Sequence, residues 1–290
     1  MARLTASSER GQSTGEVAIR FVCAYSHMRF DDPIVFPGQV GRTHLHTFFG
    51  NTGTDANSTT ASIAGSGNST CAGGILNRSA YWVPSVIDTR TGTPVRPDSM
   101  VVYYKANGFN NVVQPMPAGL RMIAGDAARS TPYANVNPDG NYDWYCEDGA
   151  SGSGQSISPT CSARTDWSPN VGAMRLAVIF PRCWDGRNLD SPDHKSHMAF
   201  PSGTSCPASH PVSIPEISIN VFWPVRVANE TRYWRLASDN YPSSIPGGYS
   251  SHADWWNGWD QSIVNRWNTN CLRAGVDCPI ANLNDGWALN

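Results

Sequence analysis

Along the chain, short stretches rich in β-branched and aromatic residues alternate with segments dominated by Gly, Pro, Ser, Thr and Asn. The apolar stretches are Val17–Tyr25, Ala80–Ile87, Met100–Tyr104, Leu120–Ile123, Met174–Phe180 and Ile217–Trp223. Such side chains fit a pleated, half-buried surface, and turn formers bound each run, so each run is predicted to be a strand. Together they predict a mainly β fold, a single-domain β-sandwich or jelly-roll-like structure with long loops. Near the end the pattern changes. Trp255, Trp259, Ile263, Trp267 and Cys271 recur every four residues, which predicts a short C-terminal helix with that stripe turned to the core. Trp255 and Trp256 at its start are also candidates for a sugar-stacking platform. Segments 51–74 and 149–160 carry too little apolar surface to be buried and are expected at the periphery. Residues 1–16 are polar and are expected to form a flexible segment ahead of one β-rich domain spanning 17–290.

Composition sharpens this picture. The 290 residues include 26 Gly and 21 Pro, the content of a chain with many turns. Only 15% of residues are charged and the net charge is −2, so no broad basic surface is available for a nucleic-acid backbone. The basic residues are almost all arginine; Lys105 and Lys195 are the lysines. No apolar run approaches the ~20 residues that span a bilayer, and Met1–Glu16 has no apolar leader core, so export would rest on a signal peptide already removed. A monomer without membrane or nucleic-acid partners is expected.

Eight cysteines are scattered without a Cys-x-x-Cys pair. That pattern fits disulfides formed in an oxidising compartment, hence a secreted protein, better than a zinc ribbon or a redox centre. Closeness along the chain favours Cys271 with Cys278, Cys183 with Cys206 and Cys146 with Cys161, leaving Cys23 for Cys71. Asn57, Asn68, Asn77 and Asn229 each open an Asn-x-Ser/Thr sequon, which matters only in a eukaryotic secretory pathway.

The histidines carry the chemical signal. Six of the seven fall in His44-Leu45-His46, in His194-Lys195-Ser196-His197 with His210 downstream, and in His252-Ala253-Asp254. Residues two apart on a strand share a face, so both imidazoles of His-x-His can approach one point; His252 and Asp254 repeat that spacing. Imidazole with carboxylate suits a divalent transition metal such as zinc or copper, or proton transfer near neutral pH. The metal candidates are His44, His46, His252 and Asp254. The catalytic candidates are His46, His194, His197, Asp32, Asp185 and Asp193, because paired carboxylates across a cleft are the equipment for glycosidic cleavage. The competing reading is plain. Asp before Pro or Gly is most often a turn former, and histidine in a polar loop often only packs. Aromatic side chains stack on sugar faces, which makes Tyr81, Trp82, Tyr103, Trp184 and Trp255 candidates for substrate binding; core packing explains most of them equally well. No Gly-x-Ser-x-Gly and no phosphate-binding Gly-x-x-x-x-Gly-Lys-Ser/Thr motif occurs.

Several longer motifs carry a family resemblance. They include Asp32-Pro33-Ile34-Val35, His44-Leu45-His46-Thr47-Phe48-Phe49-Gly50, Tyr81-Trp82-Val83-Pro84, Phe180-Pro181-Arg182-Cys183-Trp184-Asp185-Gly186, Asp193-His194-Lys195-Ser196-His197 and His252-Ala253-Asp254. Over about Val17 to Cys271 the chain resembles a secreted family of fungi and actinobacteria filed as a domain of unknown function, the DUF family numbered nineteen-ninety-six. Some members are joined to a small cysteine-rich module associated with cell-wall polysaccharide, so the resemblance implies a glycan ligand but supplies no catalytic residues. The expectation is a secreted polysaccharide-degrading enzyme with a His/Asp-lined cleft, acting by hydrolysis or by a lyase or metal-assisted variant. A non-catalytic cell-wall glycan-binding protein is the rival.

Overall fold

The computed structural model describes residues 4–109, 112–133, 142–148, 152–164, 173–203 and 205–290. It is mainly β, with 35% of residues in strands and 9% helical. Ten strands form one curled antiparallel sheet: β1 (Ala18–Arg29), β2 (His46–Gly50), β3 (Ala80–Pro84), β4 (Ser99–Lys105), β5 (Arg121–Gly125), β6 (Tyr142–Cys146), β7 (Ser153–Gly154), β8 (Ala173–Ile179), β9 (Glu216–Pro224) and β10 (His252–Trp256), in the order β7-β6-β8-β9-β4-β1-β2-β3-β10-β5. Each of the six apolar runs contributes a strand to this sheet.

The curl has a local cause in β1. Its first half, Ala18–Ala24, pairs with β4, and its second half, Tyr25–Arg29, pairs with β2, with a register shift between Tyr25 and His27. A bulge bends and twists the strand that carries it, so one long strand serves both halves of the sheet and turns one toward the other. Strands β4 and β8 alternate buried and half-buried positions, as expected for strands with one face on the core. By contrast, β2, β3 and β10 are buried at every position. Their inner face (Phe49, Tyr81, Val83, Ala253, Trp255) joins the main core. Their outer face packs Phe48, Ala80, Trp82 and Trp256 against Ile34 and Ile63 in a second cluster.

Ile63 belongs to a helix, α1 (Thr60–Gly65), whose first turn is closed by a capping box between Thr59 and Ser62. The segment 51–74 is therefore not the purely peripheral loop its composition suggests: Thr54, Ala56 and Ile63 are buried in it and Cys71 is tied to β1. In the other polar segment, residues 149–151 lie outside the described residues and Ile157 is buried.

The C-terminal helix, α2, runs only from Gln261 to Trp267, followed by a wider turn over Asn268–Arg273. Trp255 and Trp256 are not its first turn, as their spacing suggested. They lie on β10, 0% and 1% exposed, and cannot form a sugar platform. Asn257-Gly258 separates strand from helix, and Gly258 packs so closely that a Cβ on it would stand 2.5 Å from the carbonyl oxygen of Arg78. Asp260 then caps the helix through Ser262. Ile263, Trp267 and Cys271 do face the core as expected.

All four disulfides join the expected partners: Cys23–Cys71, Cys146–Cys161, Cys183–Cys206 and Cys271–Cys278. The first closes the longest loop, 48 residues. Replacing both of its cysteines by serine is expected to cost about 4 kcal/mol through the freed unfolded chain, measured as a lower denaturation midpoint. An unchanged midpoint would mean that the loop is held by its packed side chains alone. Among the described residues no helix is long and apolar enough to cross a membrane. Ahead of β1, Leu4–Ala6 pairs with Trp287–Leu289 and Gln12 bridges Asp277, so this segment lies against the C-terminal end. Of the sequons, Asn57 and Asn68 are exposed, Asn229 is half-buried, and Asn77 is fully buried and closed to a glycan in the folded chain.

Candidate metal centre

The outer face of β2, β3 and β10 ends in polar side chains. Alternation along β2 puts His46 on the same face as Phe48, and along β10 it puts His252 and Asp254 on the same face as Trp256. Strand β3 lies between them, and the Asp254–Trp82 pairing extended by two residues brings Pro84 between His46 and His252. Two strand spacings separate these histidines, about 10 Å at the backbone. Their rings lean over the compact proline to a centroid separation of 5.6 Å. His44, just before β2, closes the group with its ring 4.3 Å from that of His46. On the far side of β10, His252 pairs with Gly125 of β5, where a Cβ would stand 2.7 Å from the His252 Cα; only glycine allows this approach.

The ring nitrogens are oriented by what lies behind them. His46 Nδ1 donates to the carbonyl of Asp31 at 3.0 Å, and His252 Nδ1 donates to the carbonyl of Ser250 at 2.8 Å. Both Nε2 atoms must then carry lone pairs. They stand 3.4 Å apart, and His44 Nε2 is 3.2 Å from His252 Nε2. Two lone pairs facing each other do not make a hydrogen bond. Ligands on a tetrahedral ion at ~2.0–2.1 Å lie about 3.4 Å from one another, which is the spacing found here. The carbonyl acceptors behind the rings are what ligating histidines characteristically have.

Two carboxylates complete the centre. Asp32, Asp254 and His46 offer donor atoms within 4.8 Å of one another, as do the three histidines. Asp32 Oδ1 accepts from the main-chain N–H groups of Ile34 and Val35, both at 2.9 Å, so this aspartate is a turn former as well as a site residue. Asp254 is 1% exposed, and among the described residues neither of its oxygens has a hydrogen-bond partner. A buried carboxylate without donors is costly unless a cation answers it. Burial pushes its carboxyl well above the usual range, and the neighbouring Asp32 adds to that. Burial also lowers His252 to about 3 and His44 to about 4, and holds His46 well below its ordinary value. The imidazoles are thus neutral at ordinary pH, the form that binds a metal. The three histidine nitrogens fit a divalent transition ion, with zinc matching the spacing, and the two carboxylates form a second donor set that shares His46. Cys146, Asp148 and Cys161 are also close together, but both cysteines are spent on a disulfide.

The centre forms the floor of a cleft of about 410 Å³ lined by Asp32, His44, His252 and Asp254, with Asp193, His194 and Lys195 on its wall. His194 has left-handed backbone (φ 59°), uncommon outside glycine. Its Nδ1 meets Asp190 at 2.9 Å, and it is near enough to Asp32 to help hold that carboxyl down against the burial that raises it.

Other candidates lie elsewhere. His197 is buried with both ring nitrogens engaged, by Ser191 Oγ and by the carbonyl of Arg121, and it serves as a strut. Asp185 spends its carboxylate on Arg187, Asn188 and its own turn. Asp193 reaches the cleft wall, yet its Oδ1 is held by Ser191, Lys195 and Ser196. Tyr81, Trp82 and Trp255 are 0% exposed and cannot meet a substrate; they fill the core because their strands are buried on both faces. Tyr103 lines a separate hollow with Arg20 and Arg175. Trp184 donates to the carbonyl of Asn188 in a small outlying sheet. Sequence reasoning missed Phe36 and Lys195 as parts of this site. For neither was there a signal.

A disulfide-stapled β protein with a largely buried cluster of three histidines and two carboxylates is the class that fold and site define. Residues 32–259 match the family model described as "Domain of unknown function (DUF1996)", and the chain belongs to that family. No curated protein and no solved structure matches it.

The orphaned carboxylate supports a stability prediction. Because the folded-state pKa of Asp254 is raised above its ordinary 3.8, metal-free protein loses stability as pH rises from about 4 toward that raised value. Asp254→Asn removes this cost. In the presence of chelator the variant is expected to melt like wild type near pH 4 and to be more stable by about 2 kcal/mol at pH 7. A gap that stays constant with pH would show that Asp254 does not titrate in the folded chain.

Proposed function

We propose that this is a secreted, metal-dependent hydrolase that cleaves glycosidic bonds in an extracellular polysaccharide. The observation that carries the reading is the convergence of three histidine Nε2 atoms, with two carboxylates beside them, at the floor of an open cleft. A divalent ion held there would supply Lewis acidity and make a water molecule a competent nucleophile near neutral pH. Asp32 lines the cleft and is the easier of the two carboxyls to ionise, since two main-chain N–H groups support its charge; it accepts the proton of the attacking water. Asp254, sealed beneath, would balance part of that ion's positive charge. His194, oriented by Asp190, donates a proton to the leaving oxygen from the cleft wall. The four disulfides fit work outside the cell.

Elemental analysis and product analysis on a panel of cell-wall polysaccharides test this directly. About one zinc or copper per chain is expected, with new reducing ends that disappear on chelation and return with the metal. Unsaturated ends would indicate elimination instead. Retention on a glycan by the metal-loaded protein without any new ends would overturn the enzyme reading in favour of a wall-binding protein.

A further inference from the structure

The cleft does not stop at the metal centre. A second hollow of about 440 Å³ adjoins it and shares four of its lining residues, Ile123, Gly125, Asp126 and Lys195. The two hollows are therefore neighbouring lobes at the end of β5, with Lys195 lining both. The ammonium of Lys195 is held by one hydrogen bond to the carbonyl of Gly125, at 2.8 Å, which leaves two of its three donors for a ligand. Phe36 lies in the lobe over the metal centre, and Phe200 with Met198 lies in the far lobe. Both phenylalanines are half-buried, so each shows part of a ring to its lobe.

From this geometry we infer that the two lobes act as one groove and hold a neutral polysaccharide chain running through both, so that the enzyme cuts within the polymer. The inference rests on the proposed function for the identity of the bond cut, but the length and charge of the ligand come from the groove itself. Each lobe has the size of an ordinary small-ligand pocket, and the four shared lining residues set the lobes side by side, within reach of one extended ligand. Asp126 and Asp193 line the groove beside Lys195. Carboxylates at the walls disfavour a uronic-acid polymer by like-charge repulsion, and they accept from sugar hydroxyls. Phe36 and Phe200 offer apolar ring surface to the C–H faces of sugar units in the two lobes. Lys195 donates to hydroxyl or ring oxygens between them.

The test uses the whole protein and neutral gluco- and manno-oligosaccharides of graded length, with polygalacturonate as the acidic control. Binding is measured by calorimetry or affinity electrophoresis on the His46→Gln variant, in which turnover is removed. Affinity is expected to rise with chain length until both lobes are filled, and polygalacturonate is expected to bind weakly. Phe200→Ala is expected to weaken long oligosaccharides by about threefold to tenfold while leaving disaccharides unchanged, the effect of one lost ring contact. With active protein, the earliest products are expected to be a ladder of internal fragments. Equal affinity for short and long oligosaccharides, no effect of Phe200→Ala on long ones, tighter binding of polygalacturonate, or release of terminal units only would each overturn the inference. Length-dependent binding with no products from any neutral glycan would leave the groove assignment standing and overturn the hydrolase reading instead.

Discussion

Replacing His46 by glutamine is expected to empty the metal centre and bring activity below detection, with the fold intact. His46 belongs to both donor sets, the three histidines and the Asp32–His46–Asp254 group, so its loss cannot be made up by the remaining side chains. A residue that merely orients a ligand is worth about 10–100-fold in metal affinity; removing the ligand itself is expected to cost a thousandfold or so. The effect is also visible without a substrate. Zinc at about a thousand times its dissociation constant stabilises the protein that binds it by about 4 kcal/mol, which in a chain of this size raises the melting temperature by roughly 10 °C. Wild type should show that rise on adding zinc and lose it with chelator, while His46→Gln shows neither. Glutamine keeps a comparable volume in a fully buried site, so the metal-free variant should melt close to metal-free wild type. A variant that still takes up one ion per chain would remove His46 from the centre.

The second large effect is expected at His194. Alanine there should lower kcat by about 10²–10⁴-fold, the range for a lost general acid, while one metal per chain is retained and KM changes little. This separation of metal content from turnover distinguishes His194 from the histidines on the floor. Its partner Asp190 also holds Arg121 through the other carboxylate oxygen, at 2.9 Å, so Asp190→Asn is expected to lower kcat less and to shift the pH profile. His197, three residues further on, offers an internal control. Its ring nitrogens are both engaged, so His197→Gln should lower stability without altering the pH dependence of the remaining activity. Equal losses of kcat at His194 and His197, with the same pH profile, would reduce His194 to a packing residue.

Physical periodicities explain which parts of the site were legible. His-x-His and His-x-Asp have the two-residue repeat of a strand, and that repeat does put His46 on the face of β2 that carries Phe48, and His252 with Asp254 on one face of β10. His194 and His197 stand three residues apart, a helical spacing that the chain does not adopt; the turn there sends one ring to the cleft and buries the other. The aromatic candidates failed for a different reason. Tyr-Trp and Trp-Trp pairs look the same whether a strand has one buried face or two, and β3 and β10 have two, because α1 and the segment around Ile34 cover the side that a simple sandwich would leave to water. The tryptophan stripe failed similarly, since spacing of four persists by chance across the break at Asn257-Gly258.

Local chemistry written along the chain was enough to determine that the protein is β-rich, where its main strands run, which cysteine pairings closeness favours and that imidazoles two residues from a like partner share a face. Those properties depend on neighbours in sequence or on short loop closures. The tertiary structure decided which histidines meet, because His46 and His252 lie on strands separated by β3 and by some two hundred residues of chain. It decided as well that Asp254 is sealed with no hydrogen-bond donor among the described residues and that Lys195 lines two adjoining hollows. Burial and convergence are properties of the curled sheet as a whole, set by the bend in β1 and the cover laid over β2, β3 and β10, and no window of sequence contains them.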